Sequence, residues 1–301
     1  MEQSYSSLST PRSARQYATT RQKPTKTLFN VLYYVVCIAL ALLFLAPLLW
    51  SASTAFKPLS DTLANPLNLL PVHLTLSNFQ ALENSGNGLT TYITNSVVVA
   101  LGTVAGTILL STLGGYGFAR FQFPGKNILF VLVLVSLMIP FQSILTPLYL
   151  VLRIFHLQNT LLGLSLVYIT FQMPFGIFVM RNVFEGVPRE IEEAALIDGC
   201  SEWSVLYRVM LTIVFPGIIT VGLFAFLNSW NEFLAALIFM TDSSKFTLPI
   251  LLLNATSGQF GSVDLGAVQA GVVVTMIPCL VLFLLLQRYY VNGLAAGAVK
   301  A

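Results

Sequence analysis

Residues 27–56 contain no Asp, Glu, Lys or Arg, and five similar intervals follow at 84–119, 127–152, 154–180, 209–231 and 265–287. Each can hold a helix of roughly 20 residues, the length that crosses about 30 Å of hydrocarbon. The pattern predicts an all-α membrane protein with six transmembrane helices, near 29–51, 91–117, 128–151, 159–180, 211–231 and 267–287. A further apolar piece, "FLAALIFM" at 233–240, is too short to cross; it either continues the fifth helix or forms a re-entrant segment. Pro140, Pro147, Pro174 and Pro278 fall within predicted spans, where prolines bend helices without ending them.

Composition agrees with a bilayer: 56% of the 301 residues are hydrophobic and only 9% are charged. The net charge of +3 is too small and too scattered for a nucleic-acid surface. Placement says more than the sum. With the amino terminus inside, Arg12, Arg15, Arg21, Lys23, Lys26, Arg120, Lys126, Arg181, Arg189, Arg208, Arg288 and Lys300 lie inside, and only Lys57, Arg153 and Lys245 lie outside. This bias predicts a multi-pass membrane protein with both termini in the cytosol. Residues 1–27 read as a flexible cytosolic tail and 291–301 as a second one. The first apolar run is too long for the core of a cleaved signal peptide and reads as a retained anchor. Cys37, Cys200 and Cys279 lack the spacing of a metal site, and His73 and His156 stand alone, so no metal or bound cofactor is expected.

Against this background "EIEEAALIDGCSEW", residues 190–203, concentrates acids in the predicted inner segment between helices four and five, 185–210. Pro188 suits a helix start, and Glu190 favours that helix's positive end. Ile191, Ala194, Ala195 and Leu196 supply an apolar stripe. Gly199 reads as a stop, and Ser201 as the cap of a second short helix. The result is a bent amphipathic bracket. Its acids oppose adhesion to anionic lipid, so docking to a groove on another protein is the better physical reading. Catalysis is not expected, because no His, Cys or Lys in the segment partners the carboxylates.

The same residues carry a resemblance. Glu193, Ala194 and Ala195, then Gly199, then Val209 and Leu211 match the E-A-A, G, I-x-L-P pattern of ABC importer permeases, with Thr212 at the proline position. "EEAALIDGCS" resembles the "EEAAxIDGAS" of the carbohydrate-importer branch. "TNSVVVALGTVAGTILLSTLGGYGFAR", "SWNEFLAAL", "TLPILL" and "QRYYVNGLAAGAVKA" resemble other stretches of MalG-like permeases, so the similarity runs from about residue 28 to 301.

This resemblance implies a type I ABC importer permease fold: six helices with a cytosolic coupling-helix loop between helices four and five. It implies a MalF-like second permease, two ATPase subunits that bind ATP and Mg, an extracytoplasmic solute-binding protein, and a carbohydrate substrate. Glu190, Glu193, Ala194, Ala195, Asp198 and Gly199 would be the contacts to the ATPase. No G-x-x-x-x-G-K-[ST] loop occurs, so this chain itself is not expected to hydrolyse ATP. Sugars need hydrogen-bond partners and aromatic faces, and Asn95, Gln142, Tyr168, Gln172, Asn228, Trp230 and Asn231 are candidates for the substrate path; for each isolated amide the alternative is an interhelical hydrogen bond. Glu232, about 31 Å along a straight helix from Leu211, belongs near the outer boundary as an interfacial or capping group. Gly102 and Gly106 form G-x-x-x-G, a close-packing surface, with Gly114, Gly115 and Gly117 beyond it. A self-contained secondary transporter or a non-transport scaffold are the alternatives. The first leaves the coupling loop unexplained and lacks an evident ion site; the second, which an acidic docking bracket would suit, does not call for polar groups along several spans.

Overall fold

The computed structural model describes residues 24–64, 68–257 and 263–298, with side chains from 29 to 287. Residues 1–23 and 299–301, which belong to the two predicted tails, lie outside the described residues. Among the described residues every regular element is helical. In chain order these are α1 (Pro24–Ala55), α2 (Leu59–Ala64), α3 (Ser77–Glu83), α4 (Leu89–Arg120), α5 (Lys126–Ser136), α6 (Phe141–Ile154) and α7 (Leu161–Glu185). They continue as α8 (Arg189–Ile197), α9 (Glu202–Ser204), a π-helical turn (Val205–Met210), α10 (Leu211–Asn231), α11 (Leu234–Phe239), a 3₁₀ turn (Ser243–Lys245), α12 (Leu248–Thr256) and α13 (Leu265–Ala298). The inner parts of both predicted tails are helical: α1 starts at Pro24 and α13 runs on to Ala298.

Among the described residues five helical stretches are long and apolar enough to cross a membrane: Phe29–Ala55, Leu89–Arg120, Leu161–Glu185, Glu202–Asn231 and Leu265–Gln287. The stretch read as one span over 128–151 is instead two helices, α5 and α6, bent by 104°. The total is six if this pair counts as one span. Leu137 closes α5 and Pro140 opens α6 from an extended conformation, because a residue without an N–H sits well ahead of a first turn. Pro147, Pro174 and Pro278 stay inside unbroken helices.

The chain divides into a unit ending at Leu48 and a second from Leu49 onward; the packing below is that of the second. Its centre is the pair α4 and α7. Gly102 faces Ser165, Gly106 faces Ile169 and Gly114 faces Ile177. The offset stays constant as both numbers rise, so the two helices run parallel. A Cβ on Gly106 would come within 2.3 Å of the Ile169 side chain, so the missing side chain permits the approach. α10 runs the other way, with Gly222 against Ile108 of α4 and Gly217 against Val183 of α7.

Polar staples hold one end of this unit. Asn95, early in α4, donates from Nδ2 to the carbonyls of Ser244 and Phe246, both at 2.9 Å. Asn159, just ahead of α7, accepts on Oδ1 from the N–H groups of Thr241 and Asp242. One loop therefore ties the beginnings of α4 and α7 together, as their parallel course requires. At the same end Asn78 donates to the carbonyls of Ala55 and Lys57, each at 2.8 Å, satisfying acceptors that the end of α1 leaves open. Lys57 itself is buried, its ammonium given to the Asn68 carbonyl.

Candidate functional site

The segment after α7 folds as a short bracket against the opposite end of the α4–α7 pair. Pro188 is the residue ahead of α8, in an extended conformation, and Glu190 and Glu192 fall in the first turn, where the helix dipole favours anions. Gly199 has φ +88°. With it, Gly199 N–H donates to Leu196 O and Cys200 N–H to Ala195 O, the paired closure that lets a chain leave a helix through a left-handed residue. Ser201 Oγ then accepts from Ser204 N–H and starts the second short helix.

A π-helical turn links that helix to α10. Its wider spacing changes which carbonyls the backbone reaches, and the Thr212 hydroxyl donates to Val209 O at 2.6 Å and to Arg208 O at 3.2 Å. A proline at this position would leave both carbonyls without that donor.

The bracket has two distinct faces. Glu192, Ala195 and Cys200 turn inward, Ala195 and Cys200 against a core that includes Phe184, Val187, Leu206 and Met210. Glu190, Glu193, Ala194, Ile197, Asp198 and Gly199 are exposed. Of the six residues assigned to the docking surface, five therefore share an exposed face and Ala195 lies behind it. Ile197, 86% exposed, stands among the acids as an apolar centre. Two residues outside the assigned set hold the element in place: Arg120, the last residue of α4, pairs through Nε with Glu192 Oε1 and donates from Nη2 to Val187 O at 2.8 Å. Seventy-two positions separate Arg120 from Glu192, and no local sequence signal joins them. A polar cleft of about 570 Å³ opens beside this pair, with Lys126, Arg189 and Glu190 in its wall.

The candidate path residues lie toward the other end, chiefly on the α7–α10 seam. This seam is antiparallel, and it presents Tyr168 opposite Glu232 and Gln172 opposite Asn228. The Tyr168 hydroxyl donates to Glu232 Oε2 at 2.5 Å, and Asn228 Nδ2 donates to Gln172 Oε1 at 3.3 Å. Glu232 also accepts from the N–H groups of Leu234 and Ala235. It therefore caps α11, the role its position suggested, and breaks the 233–240 piece away from α10. Tyr168 is buried, Gln172 half-buried and Asn228 exposed. Asn231 is exposed and donates to Leu227 O, and Gln142, exposed near the start of α6, stands apart from the seam. Trp230 is buried, stacked on Phe226, with its indole N–H donated to Thr275 O of α13. Asn95 is buried with its amide donor committed to two carbonyls. Among the described residues no group of three His, Cys, Asp or Glu side chains is placed to hold a metal ion.

The chain is similar to known proteins over most of its length. A family model described as "Binding-protein-dependent transport system inner membrane component" matches residues 108–294. The probable ABC transporter permease protein YurM of Bacillus subtilis (strain 168) is 36% identical over 254 residues, covering 84% of this chain and 83% of that protein. The arabinooligosaccharides transport system permease protein AraQ of the same organism is 32% identical over 282 residues, 93% of this chain and 99% of that one. The trehalose transport system permease protein SugB of Mycobacterium tuberculosis (strain CDC 1551 / Oshkosh) is 32% identical over 256 residues, 85% and 89% of the two chains. Among solved structures, a chain of a bacterial ABC transporter involved in the import of the acidic polysaccharide alginate superimposes with a TM-score of 0.77 at 20% identity, covering 90% of this chain and 100% of that one.

Proposed function

The chain belongs to the binding-protein-dependent transport system inner membrane components, and from that premise we propose how its parts divide the work of import. It is a permease subunit of a carbohydrate ABC import system that works with a binding protein and ATPase subunits. Within that system α8 is the coupling helix, and its exposed face, Glu190, Glu193, Ala194, Asp198 and Gly199 around Ile197, enters a groove on the ATPase. The observation that carries this is the two-faced bracket: the four family-matched positions Glu193, Ala194, Asp198 and Gly199 are exposed together with Glu190 on one side, while the other side is fastened to α4 and α7. ATP and Mg belong to two such ATPase partners, and a MalF-like second permease completes the path.

We assign six spans to the chain. The parallel course of α4 and α7 supports this, because the chain leaves α4 at one face of the membrane and must enter α7 from the other. The bent α5–α6 pair is the segment available for that return. Arg120, Lys126, Arg181, Arg189 and Arg208 gather at the α8 end, against Lys57, Arg153 and Lys245 at the other, which favours a cytosolic α8 and cytosolic termini.

For the sugar, the Gln172–Asn228 pair with Asn231 and Gln142 offers accessible amides, while Tyr168, Asn95 and Trp230 hold the surrounding frame. The closest test of the central assignment is crosslinking. A cysteine at Ala194 in the assembled importer should crosslink to the ATPase subunit, and its absence in an active complex would sink the docking face.

A further inference from the structure

We propose that Arg120 is a positioning residue that fixes α8 to the last turn of α4, so that the two move as one body during the nucleotide cycle. The inference rests on α8 being the ATPase-docking element. It adds the route by which a push on that element reaches the membrane helices.

The geometry sets this link apart from an ordinary surface pair. The Arg120 side chain is 7% exposed and that of Glu192 is 14% exposed, so solvent screens their attraction little. One guanidinium holds two different parts of the bracket: the Glu192 carboxylate on α8 and the Val187 carbonyl in the turn before it. Two fixed points on one rigid planar group restrain rotation as well as separation. Arg120 also closes α4, where its charge suits the negative end of the helix dipole, while Glu192 sits in the first turn of α8, where an anion is favoured. The other end of the link is equally firm. α4 is locked to α7 by glycine contacts, down to Gly115, whose Cβ would meet Met180 and the backbone of Arg181. The charged pair therefore connects a docking helix to the most tightly packed helix pair of the unit.

Glu192 has a different task from the acids around it. Glu190 and Glu193 face outward and are free to meet a partner, whereas Glu192 is turned inward and engaged. Substituting these three acids should separate two phenotypes: loss of docking for the outer pair, and docking without transmission for Glu192.

The test uses the complete importer in nanodiscs, with spin labels at Leu109 on α4 and Leu196 on α8, both exposed. In the wild-type chain the distance distribution should be narrow and the same without nucleotide and after trapping with ATP and vanadate. Arg120→Gln should broaden or displace it, while a cysteine at Ala194 still crosslinks to the ATPase. The exchange Arg120→Glu with Glu192→Arg should narrow the distribution relative to Arg120→Glu alone, which a general loss of folding would not allow. The narrowing should not be complete, because Val187 O then lacks its donor and both charges oppose their helix dipoles. Coupled transport, as sugar carried per ATP, should fall about 5-fold or more in Arg120→Gln, the lower range for coupling between sites. An unchanged distribution with unchanged coupling in Arg120→Gln overturns the proposal, and an exchanged pair no narrower than Arg120→Glu alone overturns the pairing. If wild-type α8 does not crosslink to the ATPase, the docking assignment fails, while the label distances still judge the Arg120 link. Should Arg120→Gln not assemble, Glu192→Gln, which keeps the arginine and its bond to Val187, carries the same comparison.

Discussion

Gly199 stands at φ +88°, and nothing lies within 4 Å of where its Cβ would project. A side chain there meets no wall; the cost is the left-handed backbone, about 1 kcal/mol for alanine. Gly199→Ala should therefore leave insertion intact and fray the end of α8, lowering uptake modestly. Gly199→Asp carries similar strain and adds a charge to an already acidic surface, so it should separate ATP turnover from uptake more fully. Measuring both rates in membranes decides it, and full transport by the aspartate variant would reject a coupling role for this residue. Thr212 shows a different residue-level solution. Its hydroxyl serves carbonyls at the π-helical turn, so the entry to α10 is held by a side-chain donor where the related pattern has a proline. Glu232 completes the set: a carboxylate at the end of α10 whose oxygens are taken by Tyr168 and by the start of α11.

Among the elements, α4 and α7 make the sharpest contrast between neighbouring glycines. A Cβ at Gly115 would come within 2.5 Å of the Met180 Cβ and 2.8 Å of the Arg181 nitrogen, whereas Gly117 has nothing within 4 Å. Gly115→Ala should lower stability by roughly 1–3 kcal/mol, the usual cost of overpacking, and Gly117→Ala should be neutral or slightly stabilising. Thermal unfolding in detergent compares them directly; equal effects would mean that the seam is looser than its contacts indicate. The sequence could expose Gly102 and Gly106 as a packing surface but could not rank these two, because what differs is the residue brought opposite by α7. The same limit governs the rest of the molecule. Charge-free intervals reveal the helices because the bilayer imposes that pattern on each helix separately. The bend between α5 and α6 is hidden, since Pro140 looks like Pro147 and Pro174 until their backbone surroundings are known. The bend of the bracket was legible through Gly199 and Ser201, whereas the Arg120–Glu192 link depends on tertiary contact alone. Asn95 and Trp230 share that blindness: a polar group in an apolar run announces a partner without saying whether it is a substrate or a backbone carbonyl.

For the whole molecule the decisive quantity is the number of crossings, and the parallel α4–α7 pair constrains it. Both helices begin at the end stapled by Asn95 and Asn159 and finish at the end where Arg120 meets the bracket. If both cross the membrane, the chain between Arg120 and Leu161 has to return from one side to the other. A re-entrant α5–α6 pair would bring it back to the side it left and would force α4 and α7 to be antiparallel. The prediction concerns the two turns that flank the pair. In a background with Cys37, Cys200 and Cys279 replaced, a cysteine at Gly125 should react with an impermeant maleimide only after the cytosolic face is opened. A cysteine at exposed His156 should react in intact cells. Labelling of both from the same side would reduce the count to five and undo the six-span assignment. Labelling from opposite sides makes the 104° bend a feature within a crossing segment, where non-helical backbone is tolerated only if protein or a water-filled cavity shields it. The turn between α5 and α6 would then lie at membrane depth, and its unpaired backbone groups would need cover from neighbouring helices or from the second permease.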